Sequence, residues 1–230
     1  MKLNADKSVN KLYGEIRTRY NDARANGYRL HTYFLREQEI IISELSNNTG
    51  ITLDIACGSG LMTLPLKDKA ELLLGLDFNE QACISAKCNS LNVIRGDAFS
   101  LPIGNESIDN ALCCQFFNQQ PSENLRKVLS ESYRILAPGG KMILIWRNGE
   151  AMIHKLAHRL FKLYDHLSKQ PSFPVVDHSI DEVENYAHKV GFETIRKEVI
   201  FPLLRWHTDK TNGLAAKLMG ASNFLVLKHP

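Results

Sequence analysis

No run of apolar residues in this chain approaches the roughly 20 that a membrane-spanning helix needs. The N-terminus is polar, so no secretory signal is expected either. Cys-x-x-Cys pairs are absent. The five cysteines stand at 57, 83, 88, 113 and 114, and the adjacent Cys113 and Cys114 are badly placed for an ordinary disulfide. Their apolar flanks point to buried thiols in a reducing compartment, with the cytoplasm as the expected location. Charge of one sign is scarce too: 28 Lys plus Arg stand against 25 Asp plus Glu, a net of +3. That balance carries no basic stripe with interleaved aromatics, so nucleic acid is not expected as a partner. The histidines lack metal-ligand spacing, and no metal site is expected. A Walker A pattern, internal repeats and low-complexity segments are all missing. What remains is a chain of 230 residues, 44% hydrophobic. It suits one large α/β domain, or a core domain with a small cap, able to bury its core without staples.

Residues 1–34 are polar and rich in tyrosine and arginine. They read as two short helices, forming either a solvated arm packed on the core or a lid over a site. Apolar residues at 35, 41, 42 and 45 then mark an amphipathic helix. Strands are expected at 51–56, 71–76, 91–94, 108–114 and 142–146. Helical segments lie between them: a short one after Gly60, one from Asn79 to Asn89, and one from a Ser122 cap to the Pro138-Gly139-Gly140 break. This β-α alternation predicts a parallel sheet with helices on both faces. Beyond it come an amphipathic helix over 150–167 and a Ser179–Glu182 capping box opening a helix that Gly191 closes. Strands are expected at 192–201 and 223–228. The stretch 203–220 has no clear period.

The chain turns on Leu53-Asp-Ile-Ala-Cys-Gly-Ser-Gly60. A buried strand meets two glycines spaced by one residue, then a helix start. Glycine lets the backbone turn tightly and approach a ligand closely, and such a junction gathers free N–H groups. The third glycine of a dinucleotide fingerprint is replaced by Thr63, which weakens a dehydrogenase reading. Asp77 ends strand two, where a carboxylate can accept from a ribose diol or simply cap the next helix. Asp97-Ala98-Phe99 follows strand three, where acid and ring suit an adenine or, equally, a turn. These residues share one edge of one sheet, where ligands of open α/β folds bind.

Leu53–Gly60, Leu76-Asp77, Gly96-Asp97-Ala98, Leu101-Pro-Ile103, Ile108-Asp109 and Arg134–Gly140 resemble the class I S-adenosylmethionine-dependent methyltransferases. The nearest group is the small-molecule one that includes the ubiquinone and menaquinone C-methyltransferases. The resemblance spans roughly residues 49–147. It implies a Rossmann-like, doubly wound sheet of seven strands, mostly parallel with an antiparallel last strand. It also implies S-adenosyl-L-methionine as cofactor. In that reading Asp54 supports the glycine loop and faces the methionine amino group, while Gly58 and Gly60 shape the loop. Asp77 holds the ribose, Phe78 lies against the adenine, and Asp97 and Ala98 meet its edge. Cys114, or Gln115 beside it, lies near the methionine end. Tyr20, Arg24 or Tyr28 of the arm reach the methionine carboxylate. Ala56 stands where the family often has glycine.

The implied reaction is methyl transfer to a small, partly apolar acceptor through oxygen, nitrogen or carbon. Residues 1–34 form the lid, and segments within 148–190 and 202–220 cap the acceptor. His154, His158, His178 and His207 are the available bases, and each reads equally as a packing or surface histidine. Arg147 either binds an acidic acceptor or pairs on the surface. The rival readings are a non-catalytic binding or scaffold protein on the same fold, and a protein or nucleic-acid methyltransferase. The Asn/Asp-Pro-Pro-Tyr/Phe motif of amino-methylating nucleic-acid enzymes is absent, since Cys114-Gln-Phe-Phe-Asn118 occupies that place.

Overall fold

A computed structural model describes residues 31–45, 50–152, 154–156, 176–201, 206–209, 211 and 213–230. Helix α1 spans His31–Leu45 and buries Phe34, Ile40, Ile41 and Leu45. Strand β1 (Ile51–Ile55) leads into the glycine turn, and the Leu64–Leu66 turn follows as a short 3-10 helix with Pro65 in its opening. There the missing proline N–H costs nothing. β2 (Leu72–Asp77), α2 (Glu80–Cys88), β3 (Asn92–Arg95) and β4 (Ile108–Cys114) come next. Asn79 caps α2 as its sequence position predicts, accepting the Ala82 N–H at 2.9 Å. The chain continues through α3 (Ser122–Ile135), β5 (Leu136–Arg147), α4 (Ile180–Val190), β6 (Glu193–Phe201), β7 (Trp206–Thr208), α5 (Leu214–Met219) and β8 (Ser222–Lys228).

The eight strands form one sheet in the order β3-β2-β1-β4-β5-β8-β6-β7. β1 to β5 run parallel, and β8 lies antiparallel between β5 and β6. The expected count of seven is therefore short by one. The extra strand, β7, comes from the stretch without a clear period and pairs Trp206, His207 and Thr208 with Phe201, Ile200 and Val199. The apolar runs of β1, β4 and β5 are buried on both faces, as central strands require. One core packs α3 and α4 on one face of the sheet, and a second packs α1 on the other.

Two local readings change. Pro138-Gly139-Gly140 does not end a helix. α3 stops at Ile135, and β5 runs through these residues with Gly139 at φ +82° and a register shift between the Ile108 and Asn110 pairings. The glycines make a bulge rather than a break. Nor does Ser122 cap α3. Pro121 holds that position, and Ser122 Oγ instead donates to Glu182 Oε1 at 2.8 Å. The Ser179 cap of α4 forms as expected, accepting the Glu182 N–H at 3.1 Å.

Chain order reverses between β1 and β4, since β2 and β3 lie to one side of β1 and β5 to the other. That switch point opens a crevice at the carboxyl edge of the strands.

Candidate active site

The glycine turn lies at the carboxyl end of β1. Gly58 and Gly60 adopt φ +60° and +76°. A Cβ at Gly60 would stand 2.5 Å from Leu91 Cδ2, so both conformation and space call for glycine. Ala56 is also left-handed, at φ +58°, a conformation that costs an L-residue energy. The glycine that the family often carries here would relieve that strain.

Two acids hold this turn from inside. Asp54 is 2% exposed and accepts from Thr63 Oγ1 at 2.7 Å. Burial pushes its carboxyl up to about 7, the Thr63 hydrogen bond works against that, and the nearby Asp77 charge adds to it. Asp77, at the end of β2, accepts the Gly58 N–H through Oδ2 at 2.9 Å and the Asn79 N–H through Oδ1 at 2.8 Å. It thus joins the carboxyl ends of β1 and β2. Beside it Phe78 is 56% exposed, an apolar ring presented to solvent at the rim of the crevice. Asp97 closes its own turn by accepting the Phe99 N–H at 2.9 Å. Ala98 buries its methyl in the core and leaves only its backbone for a ligand.

Cys114 ends β4 and is partly buried. Burial pushes its thiol well up, with Asp54, Cys113 and Glu37 adding to the shift, so it stays a thiol at neutral pH and is not a nucleophile. All five cysteines are free, and only Cys88 is exposed. Gln115 follows in a left-handed conformation, φ +58°.

The structure therefore brings Asp54, Ala56, Gly58, Gly60, Asp77, Phe78, Asp97 and Cys114 to one edge of the sheet. Tyr20, Arg24 and Tyr28 lie outside the described residues, as does His158. His178 is a structural group. Buried at 1% exposure, it places Nε2 2.8 Å from the Gln120 carbonyl and Nδ1 3.3 Å from Glu182, while its own carbonyl accepts from Trp146. His207 lies in a charged cluster with Arg36, Arg196 and Glu198.

Two participants escaped sequence reading. Thr63 fills the place of the missing third glycine and supplies the donor that the buried Asp54 needs. Glu37 is 1% exposed and accepts from Gln115 Nε2 at 3.1 and 3.0 Å and from Ser222 Oγ. Its signal was an acid on the apolar side of α1, three residues after Phe34 and four before Ile41.

These residues fit S-adenosylmethionine. The buried Asp54 has no cationic partner among the described residues and favours a cationic ligand. Phe78 offers an apolar platform, and the glycine turn permits close approach.

Comparison with known proteins agrees. Residues 53–144 match a methyltransferase domain. The chain is 30% identical over 154 residues to the ubiquinone/menaquinone biosynthesis C-methyltransferase of Rickettsia typhi, covering 60% of this chain and 59% of that protein. It is 30% identical over 103 residues to the demethylmenaquinone methyltransferase of Oceanobacillus iheyensis, covering 40% and 42%. The matches thus span about half of those relatives' lengths. The crystal structure of magnesium protoporphyrin IX methyltransferase from Synechocystis, with bound S-adenosylhomocysteine, shares the fold at a TM-score of 0.62 and 15% identity, covering 86% of this chain and 84% of that one. This chain carries a class I S-adenosylmethionine-dependent methyltransferase domain, similar to those of the ubiquinone and menaquinone C-methyltransferases.

Proposed function

We propose that the protein transfers the methyl group of S-adenosylmethionine to a small, partly apolar acceptor. The observation that carries this reading is the buried, cation-seeking Asp54 beneath a glycine turn whose N–H is held by Asp77, beside the exposed Phe78. The cofactor, when bound, supplies a methyl group already activated on a sulfonium. The chain's work is then to bind, orient and exclude water.

In this reading Asp54 takes the methionine amino group, Asp77 the ribose and Phe78 the adenine face. Asp97 and the backbone of Ala98 meet the adenine edge. Cys114 packs at the methionine end, and Tyr20, Arg24 and Tyr28 approach its carboxylate. Residues 1–34 serve as a lid, and segments within 148–190 and 202–220 serve as the acceptor cap. The similarity to quinone C-methyltransferases supports a small acceptor. No helix among the described residues is long and apolar enough to cross a membrane, and the free thiols support a cytoplasmic location.

Calorimetric titration with S-adenosylmethionine tests the reading. Saturable binding that weakens in Asp77→Ala is expected. A folded sample that binds no cofactor would return the chain to the binding or scaffold reading.

A further inference from the structure

Arg147 ends β5 at the same carboxyl edge as the cofactor residues, but one strand further across the switch point. Two hydrogen bonds connect it to the methionine end. Its N–H donates to Asn118 Oδ1 at 3.1 Å, and Asn118 Nδ2 donates to Gln115 Oε1 at 2.7 Å. Its Nη2 pairs with Asp177, whose carboxylate lies so close over Gly149 that a Cβ there would overlap it. Asp177 is half exposed, so this pair forms the solvent-facing mouth of the cluster. Behind it, Arg147 Nε is shielded from solvent with no hydrogen-bond partner among the described residues.

His154 completes the cluster. Its ring is hydrogen-bonded to the backbone of Ala221. Nε2 is buried without a partner among the described residues, so Nδ1 is the nitrogen that meets the Ala221 carbonyl. A carbonyl at Nδ1 fixes the proton there and leaves the Nε2 lone pair free, the tautomer a base needs. Burial and then the Arg147 charge hold the imidazole pKa below its ordinary value, while the Ala221 bond and Asp177 oppose them. The ring is therefore neutral at neutral pH. Buried polar atoms normally find partners, and two unpartnered ones of complementary chemistry, a base and a cation, mark a place made for a ligand.

We propose that Arg147 and His154 form the acceptor site and take a weakly acidic hydroxyl of phenol or enol type, His154 Nε2 removing its proton and Arg147 holding the oxyanion. This deepens the methyl-transfer reading and rests on it. The step balances. The acceptor O–H bond breaks, its proton passes to Nε2 to give an imidazolium, and its electron pair stays on oxygen. The oxyanion replaces the Asp177 carboxylate on the guanidinium, an exchange made easy because a solvent-facing ion pair is weak. The imidazolium later returns its proton to water.

The test uses 4-nitrophenol, whose ionisation is visible by absorbance, with the full chain and S-adenosylhomocysteine, below the probe's solution pKa. Saturable binding that develops the phenolate band is expected. His154→Gln should bind the probe as the neutral phenol, and Arg147→Met should bind it about 10-fold more weakly, the loss of a charged hydrogen bond. Probe that binds only as phenol, or does not bind, overturns the proposal. Cofactor calorimetry on the same samples separates the two readings. Intact cofactor binding without phenolate sinks the acceptor site alone. Absent cofactor binding sinks the methyl-transfer reading, and the titration repeated without cofactor still judges the Arg147–His154 pair. Nitrogen-15 NMR of the unmodified protein needs no variant: it should show His154 as the Nδ1–H tautomer, and the Nε2–H tautomer overturns the proposal.

Discussion

Asp77 Oδ2 accepts the N–H of Gly58 at 2.9 Å, so the acid at the end of β2 holds the turn at the end of β1 in place. A residue expected to serve a ligand also serves the protein. Asp77→Ala leaves the Gly58 and Asn79 N–H groups without their acceptor, at a cost of about 1–3 kcal/mol. Asp77→Asn keeps one acceptor oxygen and should lose less stability. Urea midpoints for the two variants check this, and equal midpoints would deny Asp77 its hold on the turn.

Phe78 separates binding from folding more cleanly. Its ring is exposed, so Phe78→Ala should leave the unfolding midpoint nearly unchanged. Loss of a stacking platform for a base is worth about 1–3 kcal/mol, so the affinity for S-adenosylmethionine should fall roughly 10-fold or more. Unchanged affinity in calorimetry would remove Phe78 from the site.

Asp54 makes stability depend on pH in an unusual direction. Its carboxyl titrates near 7 in the fold, well above its ordinary value of 3.8. Between those values the folded chain holds more protons than the unfolded one, so stability falls as pH rises. From pH 5 to 7 this group removes about 2 kcal/mol. Asp54→Asn, which cannot titrate, should flatten that slope in denaturant unfolding. A cationic ligand favours the carboxylate, so cofactor binding near neutral pH should release a proton. Calorimetry in buffers of different ionisation enthalpy measures it, and zero release would place the ligand's amino group elsewhere.

Ala56 sits at φ +58° in the turn itself. Ala56→Gly removes a left-handed strain of about 1–2 kcal/mol, partly offset by the greater freedom of glycine in the unfolded chain. A net gain of up to about 1 kcal/mol is expected. A lower urea midpoint in the variant would contradict it.

Much of this was legible from apolar runs and turn residues. The runs of β1, β2 and β4 are unbroken because central parallel strands are buried on both faces, and the turns after them carry the acids. β7 was not legible, because three residues pairing across a sheet edge leave no period to read. The Pro138-Gly139-Gly140 bulge was misread because the same residues mark a helix end and a kinked strand, and only pairing with β4 tells them apart. The roles of Thr63 and Glu37 depend on distant partners, Asp54 for one and Gln115 with Ser222 for the other. Spacing along the chain does not reveal such partners.

β7 also guards the sheet. A terminal strand with open N–H and C=O groups is a template for another chain, and apolar residues make it a dangerous one. β7 is only three residues long, and it covers Val199, Ile200 and Phe201, the buried apolar end of β6. The rest of β6 that β7 leaves uncovered carries Glu193, Arg196, Lys197 and Glu198. The short strand therefore shields the half of the rim most prone to aggregation and leaves the other half to mutual charge. A variant lacking it should clump before it loses its cofactor.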